Sequence, residues 1–247
     1  MSKKTNYSYI GIAFIILVFG IIFIPKIVDR ISNSDISRQE SRSDQPKEKE
    51  LKKSDLVFIP NNGVNRKVPN FSFTNQYGKT ITNKDFEGKV YVIEFFFTTC
   101  PTICPRMNRN LIQIQNEFKD FDDFGVASFT INPDFDTPEI LKAYASKYGV
   151  TNPNWHLMTG NKEAIYKLSN EGFYIYAAAN DDVEGGFEHS GNFALIDKNG
   201  FIRCRVVNGN PIIYYNGITS ESEKTDEDGK LEEISALKED IKKLLNE

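Results

Sequence analysis

Sulfur and imidazole ligands are scarce in this chain of 247 residues, which has three cysteines and two histidines. An iron–sulfur cluster needs more cysteines than that. Charge of one sign is also missing. Thirty basic residues face 34 acidic ones, a net charge of −4, which argues against nucleic acid as a partner. There are no internal repeats, so a solenoid is excluded. No proline occurs between Pro153 and Pro211. Long uncharged runs are almost absent, and the one that exists lies near the N-terminal end.

That run, residues 7–25, reads YSYIGIAFIILVFGIIFIP. Its nineteen residues, at ~1.5 Å of rise each, would span roughly 28 Å, about one bilayer core. A cleaved signal peptide is the competing reading. The run is long for one, and Ile27, Val28, Asp29 and Arg30 offer no small-residue cleavage site. No cysteine follows the run closely, which disfavours a lipid anchor. Lys3 and Lys4 precede it and Lys26 and Arg30 follow it, so charge leaves its orientation open. The expected organisation is a short tail over residues 1–6, a single transmembrane helix over 7–25, a polar disordered tether over 26–55 and one globular domain over 56–247. The last is roughly 190 residues, enough for a substantial core.

Within the globular part, residues 71–74 and 79–82 flank a Gln76-Tyr77-Gly78 turn and predict a β-hairpin. Residues 89–97 form a near-continuous apolar strand of the kind buried on both faces. Pro105 suits the first position of a helix, and Met107, Leu111, Ile114 and Phe118 recur at helical spacing. Residues 124–131 predict another strand. Thr137, Pro138 and Glu139 predict a helix start, with Ile140, Leu141, Tyr144 and Tyr148 on its apolar face and Gly149 at its end. A short strand over 155–158, a short helix over 162–170 and a strand over 174–178 follow. Residues 192–197 and 201–207 predict a hairpin, and Leu231, Ile234, Leu237, Ile241, Leu244 and Leu245 a terminal amphipathic helix. This alternation is an α/β sandwich.

Two of the cysteines, Cys100 and Cys104, stand at the strand-to-helix junction in Thr99-Cys-Pro-Thr-Ile-Cys-Pro105. A structural disulfide there would close a tiny loop and stabilise little. A thiol at a helix N-terminus has its pKa lowered from ~8.5, because the helix dipole favours thiolate, the form that attacks disulfides and binds soft metals.

Here the chain resembles the thioredoxin superfamily and, within it, the Sco/SenC family of copper proteins. Three stretches carry the resemblance. In residues 71–105 a hairpin, Gly88-Lys89, an apolar strand and Cys-Pro-x-x-Cys-Pro follow in family order. The second stretch is residues 130–139, TINPDFDTPE. The third is Glu188-His189-Ser190, followed by FALIDKNG over 193–200. Ordinary thioredoxins space their cysteines more closely and place a cis-proline where Gly191 stands. A peroxiredoxin would want Thr or Ser and Pro at the positions of Phe97 and Ile93.

The resemblance implies a thioredoxin-like sandwich with a central mixed sheet flanked by helices and an N-terminal β-hairpin. It implies one copper ion held by Cys100, Cys104 and His189. Two thiolates and an imidazole are a soft, small donor set that suits copper, whereas zinc ordinarily takes a fourth ligand. Oxidation of the cysteine pair to a disulfide would empty the site. His156, in a strand-like segment, reads as a packed or edge residue, and Cys204 as a packed hairpin side chain. Asp181, Asp182, Glu184 and Glu188 read as a solvated loop or as attraction for a cation or a basic partner surface. Residues 221–228 read as solvated.

Phe135 and Asn132 replace the Arg and Asp of the family's second stretch, and Glu188 replaces an Asp in the third. The loss of a basic side chain at Phe135 puts the family's docking surface in question. The implied function is that of a membrane-anchored metallochaperone whose domain lies on the exported side. Its client would be the binuclear copper site of a cytochrome c oxidase subunit. The rival is a thiol–disulfide oxidoreductase in which Cys100 attacks and Cys104 resolves. No sequence feature separates a copper or redox sensor from either.

Overall fold

A computed structural model describes residues 17–21, 23, 55–61, 64–180, 182–207, 210–226 and 229–247. The chain divides into two units, Met1–Glu50 and Leu51–Glu247. In the first unit residues 17–21 and 23 are helical. The rest of the expected anchor and almost all of the expected tether lie outside the described residues. Among the described residues no helix is long and apolar enough to cross a membrane.

The second unit is built on one mixed sheet. Its strands are β1 (Asp55–Phe58), β2 (Ser72–Asn75), β3 (Thr80–Thr82), β4 (Val90–Phe96), β5 (Phe124–Thr130), β6 (Trp155–Thr159), β9 (Asn192–Ile196) and β10 (Ile202–Val207). They lie in the order β1-β10-β9-β4-β5-β6-β2-β3. The helices are α1 (Cys104–Glu117), α2 (Pro138–Tyr148), α3 (Lys162–Lys167) and α4 (Ile234–Leu245). A two-stranded ribbon, β7 (Ala177–Ala179) with β8 (Phe187–His189), is separate from the sheet. Two short strands, β11 (Asn210–Ile212) and β12 (Tyr215–Asn216), pair with β10 and β9.

The parallel centre, β4-β5-β6, requires crossovers, and α1 and α2 supply them. Every residue of β4 and β5 is buried, as strands covered on both faces must be. Met107, Leu111 and Ile114 of α1 are buried at helical spacing. Thr137 caps α2 by accepting from Ile140 N–H at 3.4 Å. Gly149 ends that helix at φ 80°, where a side chain would be strained.

The C-terminal helix is fastened by a buried ion pair. Arg205 Nε donates to Asp240 Oδ2 at 2.6 Å, and the Tyr215 hydroxyl donates to the same oxygen at 2.8 Å. Removing one partner of such a pair strands the other, at a cost of about 3–5 kcal/mol.

Three elements depart from expectation. The helix over 162–170 passes at Leu168 into a π-turn that runs to Phe173, and Tyr174 follows with φ 51°. The expected strand therefore begins only at Ala177, where β8 provides a pairing partner. Helix α4 starts at Ile234 rather than Leu231, because Leu231 is drawn into a bridge with Thr225 and is exposed.

Glu94 interrupts the apolar run of β4 and is 1% exposed. The Ser128 hydroxyl donates to Glu94 Oε1 at 2.6 Å, while Glu94 Oε2 has no partner. Burial pushes this carboxyl from 4.5 up to about 7, against the pull of the Ser128 bond. The folded chain thus binds the proton more tightly than the unfolded one. The stability this contributes is full below the ordinary carboxylate range and is lost as pH rises from about 4.5 to about 7. Glu94→Gln should gain on the wild type by up to about 3 kcal/mol between about pH 5 and pH 8 in urea unfolding. A pH-independent difference would contradict this.

Candidate metal centre

β4 ends at Phe96, and the chain must turn before α1 begins at Cys104. The turn is closed by Cys100 N–H donating to Phe97 O at 3.3 Å. Pro105 lies in the first turn of α1, where its missing N–H forfeits no helix bond. The capping position is held by Ile103, whose side chain makes no capping bond. Instead Cys104 N–H donates to Cys100 Sγ at 3.4 Å. The sulfur thus accepts from one of the unpaired N–H groups of the first turn, and the helix dipole favours negative charge on it.

His189 is supplied by the two-stranded ribbon. It ends β8, in register with Ala177, and so is held by a backbone ladder rather than by the loop the sequence suggested. The connection between β7 and β8 passes close over Phe97 and Pro101. A Cβ on Gly185, which has φ 93°, would stand 3.1 Å from both side chains.

His189 Nε2 lies 3.2 Å from Cys104 Sγ, and His189 Nδ1 lies 3.3 Å from Ser190 O. A carbonyl only accepts, so Nδ1 carries the ring proton and Nε2 presents its lone pair to the sulfurs. Donor atoms of Cys100, Cys104 and His189 all lie within 4.8 Å of one another. Among the described residues this is the one group of three such donors.

The two sulfurs are not equivalent. The Cys104 thiol as donor, and then the N–H groups of Cys104 and Thr102, hold Cys100 down at about 3 against the opposing effect of burial. Cys104 is 0% exposed, against 8% for Cys100. Burial pushes its thiol well above the ordinary range, and its bond to Cys100 adds to the effect. Cys100 lines a cavity of about 250 Å³ walled by Phe97, Ile103 and Phe187 and rimmed by Glu184 and Glu188. Cys104 does not line it. The arrangement offers an accessible thiolate, a hidden thiol and an imidazole lone pair. This donor set fits a soft, low-coordinate metal ion, with Nδ1–H to Ser190 fixing the ring.

Gly191, where a cis-proline was expected to be missing, packs beneath Ile218. A Cβ there would stand 2.3 Å from that side chain. The Ile218 segment is held by Gly217 N–H to Gly191 O at 2.8 Å and by Asn110 Nδ2 to Gly217 O at 2.8 Å.

Other candidates lie elsewhere. His156 is half-buried on β6, 3.2 Å from Asn75 Nδ2 and edge-on to Phe86. Cys204 is buried on β10 opposite Val57. Asp182, Glu184 and Glu188 are exposed, and Asp181 lies outside the described residues. Glu221 and Glu223 are not merely solvated: they pair with Lys238 at 2.5 Å and Arg106 at 2.8 Å. The sequence reading missed Glu94, although an ionisable residue inside an apolar strand was a visible signal. It also missed Asp136, which binds the turn leading to Cys100.

Fold and site together define a thioredoxin-like domain whose cysteine pair is completed by a histidine. The SCO1/SenC family profile matches residues 60–218, and the chain belongs to that family. A SCO1 protein homologue of Bacillus subtilis is 29% identical over 161 residues, 64% of this chain and 82% of that one. The structure of a SCO1/SenC family lipoprotein from Bacillus anthracis is 32% identical with a TM-score of 0.60, covering 78% of this chain and 98% of its own. BsSco, described as a Sco-family cytochrome c oxidase assembly protein with a disulfide switch, is 26% identical with a TM-score of 0.58, covering 74% and 95%. Bradyrhizobium japonicum ScoI, solved with copper bound, shares the fold at 21% identity and a TM-score of 0.52, covering 72% and 99%.

The depressed Cys100 thiol has a direct kinetic signature. Alkylation of Cys100 in the reduced, metal-free chain should be nearly constant between about pH 5 and pH 8. An ordinary thiol would speed up roughly tenfold per pH unit there. Such a rise at Cys100, read by peptide mass, would refute the assignment.

Proposed function

We propose that this chain carries copper for the assembly of a respiratory cytochrome c oxidase, with Cys100, Cys104 and His189 holding one ion as cargo. The observation that carries the reading is the convergence of two buried sulfurs and an imidazole lone pair within 4.8 Å. Two thiolates and one imidazole suit monovalent copper, and divalent copper with an added ligand. The cavity beside Cys100 gives a client's donor group a way in on the side of the more exposed sulfur. The client in this reading is the subunit bearing the binuclear copper site. Phe135, 48% exposed where the family pattern has Arg, gives that client an apolar contact in place of a charged one.

In this reading residues 7–25 anchor the chain in the membrane, residues 26–55 tether it, and the domain works on the exported side. The uncharged run and the lipoprotein description of the Bacillus anthracis relative support it.

A second reading, thiol–disulfide exchange, is favoured by the acidity of Cys100. The Cys100 thiolate would attack a client disulfide, forming a mixed disulfide and releasing one client thiolate. Cys104, on losing its proton, would attack the Cys100 sulfur and release the second. Two electrons pass from the pair to the client, and a thiol reductant must restore the pair. The disulfide form has no thiolate left for metal, so the two activities exclude each other at any instant and can alternate in one molecule.

Titration of the purified, reduced chain with copper(I) separates them. The wild type should bind one copper, and Cys100→Ser should weaken binding severely. His189→Ala should lower the affinity by roughly a hundredfold while leaving thiol exchange within about threefold. Unchanged copper affinity in His189→Ala would remove the third ligand and with it the copper-carrier reading.

A further inference from the structure

Asp136 is 0% exposed and belongs to neither the donor set nor the cavity. Its carboxylate gathers three donors from two places. Thr98 N–H reaches Oδ2 at 3.1 Å, the Thr98 hydroxyl donates to Oδ1, and the Thr130 hydroxyl donates to Oδ2. Thr130 is the last residue of β5, and its own oxygen accepts from Asn132 N–H at 3.0 Å. Asp136 itself is held by its N–H to Asn132 O at 2.9 Å, and the next residue caps α2. An ionised carboxylate is all acceptor and suits three converging donors. An amide of the same shape would turn a donor toward one of them.

Thr98 lies inside the turn closed by Cys100 N–H to Phe97 O. Two hydrogen bonds to one threonine, through backbone and side chain, fix how that turn is rotated about the end of β4. Cys100 comes two residues later. We propose that Asp136 is a positioning residue: it clamps the Phe97-to-Cys100 turn through Thr98 and so holds the Cys100 sulfur at the start of α1, within reach of Cys104 and His189. The effect on the thiol needs no metal, and only the effect on copper rests on the function proposed above.

Two threonine variants separate a clamp from a mere brace. Thr98→Val and Thr130→Val each delete one hydroxyl bond to the same carboxylate, but only Thr98 touches the cysteine turn. With the full chain, Thr98→Val should slow alkylation of Cys100 by iodoacetamide at about pH 6 by roughly tenfold and weaken copper(I) affinity by a similar factor. Thr130→Val should lower the thermal midpoint as much as Thr98→Val does, yet stay within about twofold of the wild type in both other measurements. Asp136→Asn should follow Thr98→Val with larger losses. Equal losses of reactivity in the two threonine variants would reduce Asp136 to a brace of the fold, as would unchanged alkylation in Thr98→Val. A wild-type chain that takes up no copper would overturn the functional reading instead, and the clamp would then stand or fall on alkylation alone.

Discussion

The junction between β4 and α1 sets the terms for the rest of the molecule. A strand buried on both faces ends at Phe96, and the chain must re-emerge as a helix whose opening N–H groups need acceptors. Ile103, at the capping position, cannot supply one. The Cys100 sulfur accepts from the first of those N–H groups, so helix initiation and thiol chemistry share one atom. Anything that stabilises the start of α1 also holds a charged sulfur in position, and anything that rotates the turn disturbs both.

The inequality of the two sulfurs follows from this junction. Cys100, over the helix end and facing a cavity, is charged and accessible. Cys104, inside the first helical turn, keeps its proton between Cys100 and His189 and meets no solvent. A soft cation replaces that proton with a bond to each sulfur, while an oxidant removes the charge altogether. In the function proposed above, the same three side chains respond to metal and to redox state through one small volume. The buried carboxyl of Glu94 bears on Cys104 electrostatically from β4 below.

Much of this could be read from residue pattern. The continuous apolar run gave β4, the spacing of Met107, Leu111 and Ile114 gave α1, and Thr137, Pro138 and Gly149 bounded α2. Both cysteines were placed at a strand-to-helix junction because the periodicity changes there. What escaped was structure with no local signature. β7 was expected three residues early, and its partner β8 follows a Gly- and acid-rich connection and showed no strand alternation. The support of His189 was therefore invisible, although its family position singled the residue out. Asp136 stood in a recognised stretch, but nothing local indicated that its partners would be Thr98 and Thr130. Leu231 fitted the apolar stripe of α4 and was lost to a bridge with Thr225.

Two of the three donors hang from the central sheet and its first helix, while the third rides on a two-stranded ribbon outside that sheet. The ribbon joins the site across its own short ladder and the contacts of Gly185 with Phe97 and Pro101. The imidazole is consequently carried by a different part of the polypeptide from the two sulfurs. Substitutions along the ribbon act first on the imidazole, and those in β4 and α1 act first on the sulfurs, with the His189–Cys104 contact joining the two. In a scaffold so divided, the placement of the imidazole and the placement of the sulfurs are open to change by separate substitutions.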